Sequence, residues 1–175
     1  MRRTFSSSQS SRRSKVVKQQ TAARRRWWDD AAIRYAGARV RSAEEVRSYL
    51  RRRSVTPSEA ACAVAACRAR GLVDDRACAR LWAEHWVRQG YAWAAIRAKL
   101  AAKGLSQTVI EQSAGARGTP DAEAARARTL LAKRLRAVAG VRARIRAARL
   151  LASHGFDEDL ITQVLEASFD PLTHA

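Results

Sequence analysis

Acidic residues are scarce in this sequence. Sixteen Asp and Glu stand against 34 Lys and Arg, a net charge of +18 over 175 residues. An excess of that size speaks to partners and not to fold. It points to a polyanion: DNA, RNA, an anionic membrane or an acidic protein surface. Proline occurs only three times and glycine eight times, mostly between segments of helical periodicity. With so few breakers and so much alanine, the composition predicts an all-α fold. No apolar run approaches the ~20 residues that span a bilayer, so a membrane protein is excluded from the reading. The three cysteines, Cys62, Cys67 and Cys78, lie inside predicted helices with no Cys-x-x-Cys pair and no histidine at metal spacing. They read as buried, reduced thiols of a cytoplasmic protein, with no metal site.

The residues of catalysis are equally sparse. No Gly-x-x-x-x-Gly-Lys loop is present, so an NTPase site is not expected. Of three histidines, His85 sits mid-helix between Trp82 and Trp86, His154 precedes a glycine stop, and His174 is near the C-terminus. Asp74 and Asp75 stand at a predicted helix start with no third ligand nearby, where capping explains them better than metal binding or acid–base work. No catalytic constellation and no cofactor site emerges. The chain reads as non-enzymatic.

What is present is a series of helices with marked ends. Residues 1–27 are rich in Ser, Gln and Arg, and the first 26 carry nine basic side chains and no acid. They read as a disordered basic tail, able either to touch phosphates or simply to solubilise; their acid-free composition is also that of an organellar transit peptide. A first three-helix repeat is expected over 28–70. Asp29 and Asp30 suit a helix start, with Ala32, Tyr35 and Ala36 as its stripe. Ser42 and Glu45 form a capping box, as do Thr56 and Glu59 around Pro57. A second repeat is expected over 71–115, with Gly71, Gly90 and Gly104 as stops, Asp74 and Ser106 as caps, and Ile96 and Leu100 inward. The third, over 119–170, opens on Thr119-Pro120-Asp121 and places Leu131, Leu135 and Val138 on one face. A following helix is read with Val141, Ile145 and Ala148 inward, and Asp157 caps the last, before frayed residues 171–175.

Aligned, the segments repeat at about 50 residues: Val46/Leu50, Ile96/Leu100 and Ala147/Leu151 correspond, as do Val55-Thr56, Leu105-Ser106 and Phe156-Asp157. Periods of this length belong to stacked helical units. The expectation is three tandem three-helix repeats in an elongated, curved array.

Particular residues also resemble a known family. Gly71-Leu72-Val73-Asp74-Asp75, then Ala79, Arg88, Gly90, Ile96, Leu100 and Lys103-Gly104, resemble the central signature of the RecX family, bacterial modulators of the RecA recombinase. Arg39-Val40-Arg41-Ser42-Ala43-Glu44-Glu45-Val46 with Leu50 is similar to that family's first-repeat motif. The resemblance spans residues 31–167. One departure stands out: Cys78 occupies a position where the family usually has Phe or Tyr, and Trp82 and Trp86 are the nearest sources of the missing volume. A monomer is expected, and the resemblance implies binding to the RecA–single-stranded DNA filament along its groove, with inhibition of strand exchange and ATP hydrolysis. A general basic nucleic-acid-binding protein without a RecA partner is the alternative.

The charge itself nominates the contacts. Arg51, Arg52 and Arg53 end the second helix of the first repeat. Arg97, Lys99 and Lys103 occupy the corresponding helix of the second, and Arg142, Arg146 and Arg149, spaced i, i+4, i+7, that of the third. These nine are the expected DNA- or filament-binding residues, a basic face recurring in every repeat.

Overall fold

The computed structural model describes residues 24–134 and 140–169. Among them every regular element is helical, as the composition predicts: α1 (24–37), α2 (Ala43–Arg51), α3 (Pro57–Ala69), α4 (Asp75–Arg88), α5 (Trp93–Ala102), α6 (Gln107–Ala114), a 3₁₀ turn (Gly115–Gly118), α7 (Pro120–Arg134), α8 (Val141–Ser153) and α9 (Glu158–Phe169). No described helix is long and apolar enough to cross a membrane. The chain forms two compact units, one ending at Asp74 and the other beginning at Asp75.

In the first unit, α1, α2 and α3 close on Ala32, Ala36, Val46, Leu50, Val64 and Cys67. α1 already includes residues 24–27, which the sequence assigns to the tail, and Trp28 is buried. Asp29 and Asp30 therefore lie inside the helix and do not start it. The tail from 1 to 23 is outside the described residues. Both capping boxes form: the Ser42 and Thr56 hydroxyls accept the Glu45 and Glu59 amides, and each glutamate returns to accept its cap residue's own N–H. Cys67 is buried as expected, but Cys62 lies on the exposed face of α3. Burial pushes the Cys67 thiol pKa up; Arg70 opposes the rise and Asp29 adds to it.

The second unit holds two three-helix groups. α4, α5 and α6 enclose Ala79, Ala83, Trp93, Ile96, Leu100, Leu105 and Ile110. Around Leu130, Ala147, Leu151, Phe156, Val164 and Leu165, α7, α8 and α9 close a second core, which takes in Ala92 from the other group. Full burial of each Leu or Ile here is worth about 1.5–3 kcal/mol. Leu131 is buried as read, while Leu135 and Val138 lie outside the described residues.

α8 corrects one expectation. Val141 and Ile145 are 77% and 46% exposed, and the buried face is Ala143, Ala147 and Leu151. Val141 and Ile145 border an open groove with Ile161 and Leu165, whereas Ala147 and Leu151 join the core closed with α7 and α9. The repeat register names this face; the bulk of the side chains does not.

That register is written into the backbone. Thr56, Ser106 and Asp157 each accept, through a side-chain oxygen, the amide hydrogen three residues on. Just before them, Val55, Leu105 and Phe156 donate N–H to the carbonyls of Leu50, Leu100 and Leu151 at 3.3, 3.4 and 3.3 Å. These are the closing bonds of a helix C-terminal motif that needs a left-handed residue. Gly104 and Gly155 supply it at φ 73° and 83°; in the first unit Ser54 adopts φ 59° instead.

Candidate nucleic-acid interface

The nine basic residues nominated by the sequence are all present on α2, α5 and α8 or their ends, but in three different situations. Arg51 and Arg97 are paired with acids: Arg51 Nη2 lies 2.7 Å from Glu44 Oε1, and Arg97 Nη1 lies 3.9 Å from Glu111 Oε1. At Glu44, burial works against ionisation, and hydrogen bonds from Arg47 and Arg51 overcome it, so its pKa lies below the usual value.

Arg53, Lys99 and Lys103 lie over aromatic rings. The Arg53 guanidinium sits 3.8 Å from the Tyr49 ring centre; Tyr49 stacks on Tyr35 at 3.9 Å, and Arg41 covers Tyr35 at 4.2 Å. In the second unit, Lys103 Nζ is 4.0 Å above Trp82, and Lys99 Nζ is 4.4 Å from Tyr91 and 5.8 Å from Trp86. Exposed cation–π contacts are worth about 0.5–1 kcal/mol each. Trp82 and Trp86, 5.3 Å apart, pack half-buried on the α4–α6 core, and Cys78, one turn before Trp82 in α4, is fully buried.

Arg52, Arg142, Arg146 and Arg149 are exposed and make no ion pair among the described residues. The last three line, with Ile145, an open concavity of about 430 Å³. A larger apolar groove of about 620 Å³ runs alongside, between Val141, Ile145, Ala148, Phe156, Ile161 and Leu165.

The nine do not occupy one recurring face. Counting from Val46, Ile96 and Ala147, Lys103 corresponds to Arg53. Arg142 and Arg146, however, fall at the places of Arg41 and Glu45, and Lys99 falls at Tyr49. Arg51–Arg53 and the other six also belong to different units. The basic character recurs, the position does not.

Some site residues are invisible in the sequence pattern. Arg126 is 9% exposed, its Nη2 donating to the Arg117 carbonyl at 2.9 Å and to Glu123 Oε1 at 3.3 Å. Burial lowers its pKa, and the Glu123 charge and hydrogen bond partly restore it. Glu123 also accepts the Trp93 N–H, serving as the cap that α5 lacks at Ala92. Arg117 reaches on to Glu84 at 3.0 Å. Beside this network, Arg88, Arg126, Lys133 and Arg134 border a hollow of about 150 Å³. Charge density alone gives no signal for it, because arginines are everywhere. Among the described residues no cluster of His, Cys, Asp or Glu could hold a metal.

Residues 74–113, which carry α4 to α6 and the Trp82–Lys103 surface, match the family model of RecX, second three-helix domain. The match spans 40 of the chain's 175 residues and makes this stretch similar to that RecX domain. The fold agrees along most of the chain. The crystal structure of RecX from Lactobacillus salivarius is similar at a TM-score of 0.68 and 19% identity, over 83% of this chain and 97% of that one. The crystal structure of a regulatory protein RecX gives 0.71 at 19% identity, over 85% and 76%. At such identity the likeness is one of fold. Curated proteins give no significant match.

Proposed function

We propose that this chain is a RecX-type regulator, without catalysis of its own, that binds the RecA–single-stranded DNA filament and restrains strand exchange and ATP hydrolysis. The observation that carries the proposal is the RecX second domain over 74–113, coincident with Lys99 and Lys103 held over its aromatic surface. A regulator acts by differential binding: preference for a stalled or capped filament end shifts the balance toward loss of subunits. Basic side chains would anchor the DNA, and a less basic face would meet RecA.

Strand exchange by RecA in the presence of substoichiometric protein tests it, with inhibition expected. Full RecA activity at equimolar protein would overturn the proposal.

The net charge of +18 favours a second reading, a general nucleic-acid binder that needs no RecA. Binding to RecA without DNA and to DNA without RecA, at physiological salt, separates the two.

A further inference from the structure

The second unit carries aromatic rings and lysines interleaved along one surface, from Lys103 to Trp82, Trp86, Lys99, Tyr91 and finally His154. Successive ring or ring–cation distances are 4.0, 5.3, 5.8, 4.4 and 4.8 Å. From this arrangement we infer that Trp82 and Trp86, with Lys99 and Lys103, form a base-stacking site for single-stranded DNA. The inference rests on the DNA-binding part of the proposed function and specifies how that binding is made.

Three features favour stacking over simple phosphate neutralisation. First, rings serving only the core would be covered by apolar side chains. These are half-buried, and besides His85 they carry the Lys99 and Lys103 ammonium groups over their faces. Among the described residues no carboxylate holds Lys99.

Second, the exchange is favourable. When a strand arrives, the Lys99 ammonium can leave its rings for a phosphate, and a base takes its place. A cation–π contact of about 0.5–1 kcal/mol is then replaced by a base–aromatic stack of about 1–3 kcal/mol and a charge-assisted phosphate contact. Third, the Trp82 indole N–H is buried with no hydrogen-bond partner. That unserved donor lies at the edge of the same ring whose face carries Lys103.

The site reads no sequence, because every base has a face to stack. It distinguishes a single strand from a duplex, whose bases are already stacked on one another.

The test compares two probes on the full chain: an oligothymidylate, and an abasic oligonucleotide of equal length and charge. The expected result is roughly tenfold tighter binding of the base-bearing strand, with quenching of tryptophan fluorescence. Trp82→Leu should reduce that ratio toward unity while leaving abasic affinity in place, circular dichroism verifying the fold. Equal affinities for the two probes in the unsubstituted protein overturn the stacking site and leave phosphate binding standing; this arm needs no variant. A folded Trp82→Leu protein that keeps the full ratio also overturns it. Failure of both probes to bind overturns the stacking site and the DNA-binding reading together.

Discussion

The Ala92 amide donates a 2.9 Å hydrogen bond to the His154 carbonyl, joining the start of α5 to the end of α8 across 62 residues of sequence. The contact fixes how the two three-helix groups of the second unit dock. His154 is the C-terminal cap of α8, where carbonyls lack intrahelical partners, and its ring stacks on Tyr91 at 4.8 Å. Next to it, a Cβ on Gly155 would come 2.6 Å from the Ala95 Cβ. The backbones meet there because neither residue carries a larger side chain.

Gly155→Ala should therefore be destabilising by about 2–4 kcal/mol, combining a left-handed residue with a Cβ with overpacking against Ala95. Adding Ala95→Gly should recover the steric part and not the conformational part. Urea denaturation of the two single variants and the double variant measures the coupling. Additive effects would mean that the two groups do not meet at this point.

Ser54→Gly should act in the opposite direction. Ser54 holds φ 59° at the place where Gly104 and Gly155 close their helices. Removing a left-handed penalty of about 1–2 kcal/mol, less about 0.5–1 kcal/mol for the freer unfolded chain, leaves a net gain of about 0.5–1 kcal/mol. Thermal unfolding checks it. Lower stability in the glycine variant would show that the serine side chain contributes more than its backbone costs.

The thiols should separate by burial. Cys62 is exposed, while Cys67 and Cys78 are fully buried. An aromatic disulfide reagent at mildly alkaline pH should modify one thiol in the native protein and all three after unfolding. Burial raises the Cys67 pKa above the ordinary 9.0, so the unfolded thiol ionises first. Its contribution to stability is whole below that value and declines as pH rises, until the native thiol ionises too. Rapid native labelling of two thiols would contradict the packing of α3 or α4.

What was legible in the sequence was local. Ser42 with Glu45, Thr56 with Glu59, Ser106 and Asp157 all act within three residues, so spacing alone names them. α8 departs from the expectation because Val-Arg-Ala-Arg-Ile-Arg-Ala-Ala-Arg-Leu-Leu offers two apolar stripes at helical spacing. Bulk favours Val141, Ile145 and Ala148, yet the stripe that is buried is Ala143, Ala147 and Leu151. Asp29 and Asp30 suit a helix start by charge, yet α1 runs through them. The capping of α5 by Glu123 could not be read at all, since its partners lie 30 residues apart and no periodicity links them. For the nominated cations the residue types are legible in the chain, but it takes the fold to bring Arg51 and Arg97 to acids and Lys99 and Lys103 over aromatic rings.

The final prediction concerns Arg142, Arg146 and Arg149, which are exposed around one concavity and make no ion pair among the described residues. If they contact phosphates of a single strand, each contact releases condensed counterions, and affinity falls by about 0.7 logarithmic units per tenfold rise in salt for each. Replacing all three by Glu should lower the salt slope by roughly two to three contacts' worth. The fold should survive, because the buried face of α8 is Ala143, Ala147 and Leu151. Inhibition of RecA should fall in parallel if DNA anchoring serves regulation. DNA affinity lost with RecA inhibition intact would mean that the filament is held through protein contacts. An unchanged salt slope in the folded variant would make these three arginines a solvated surface, and DNA binding would then rest on the Lys99–Lys103 side of the second unit.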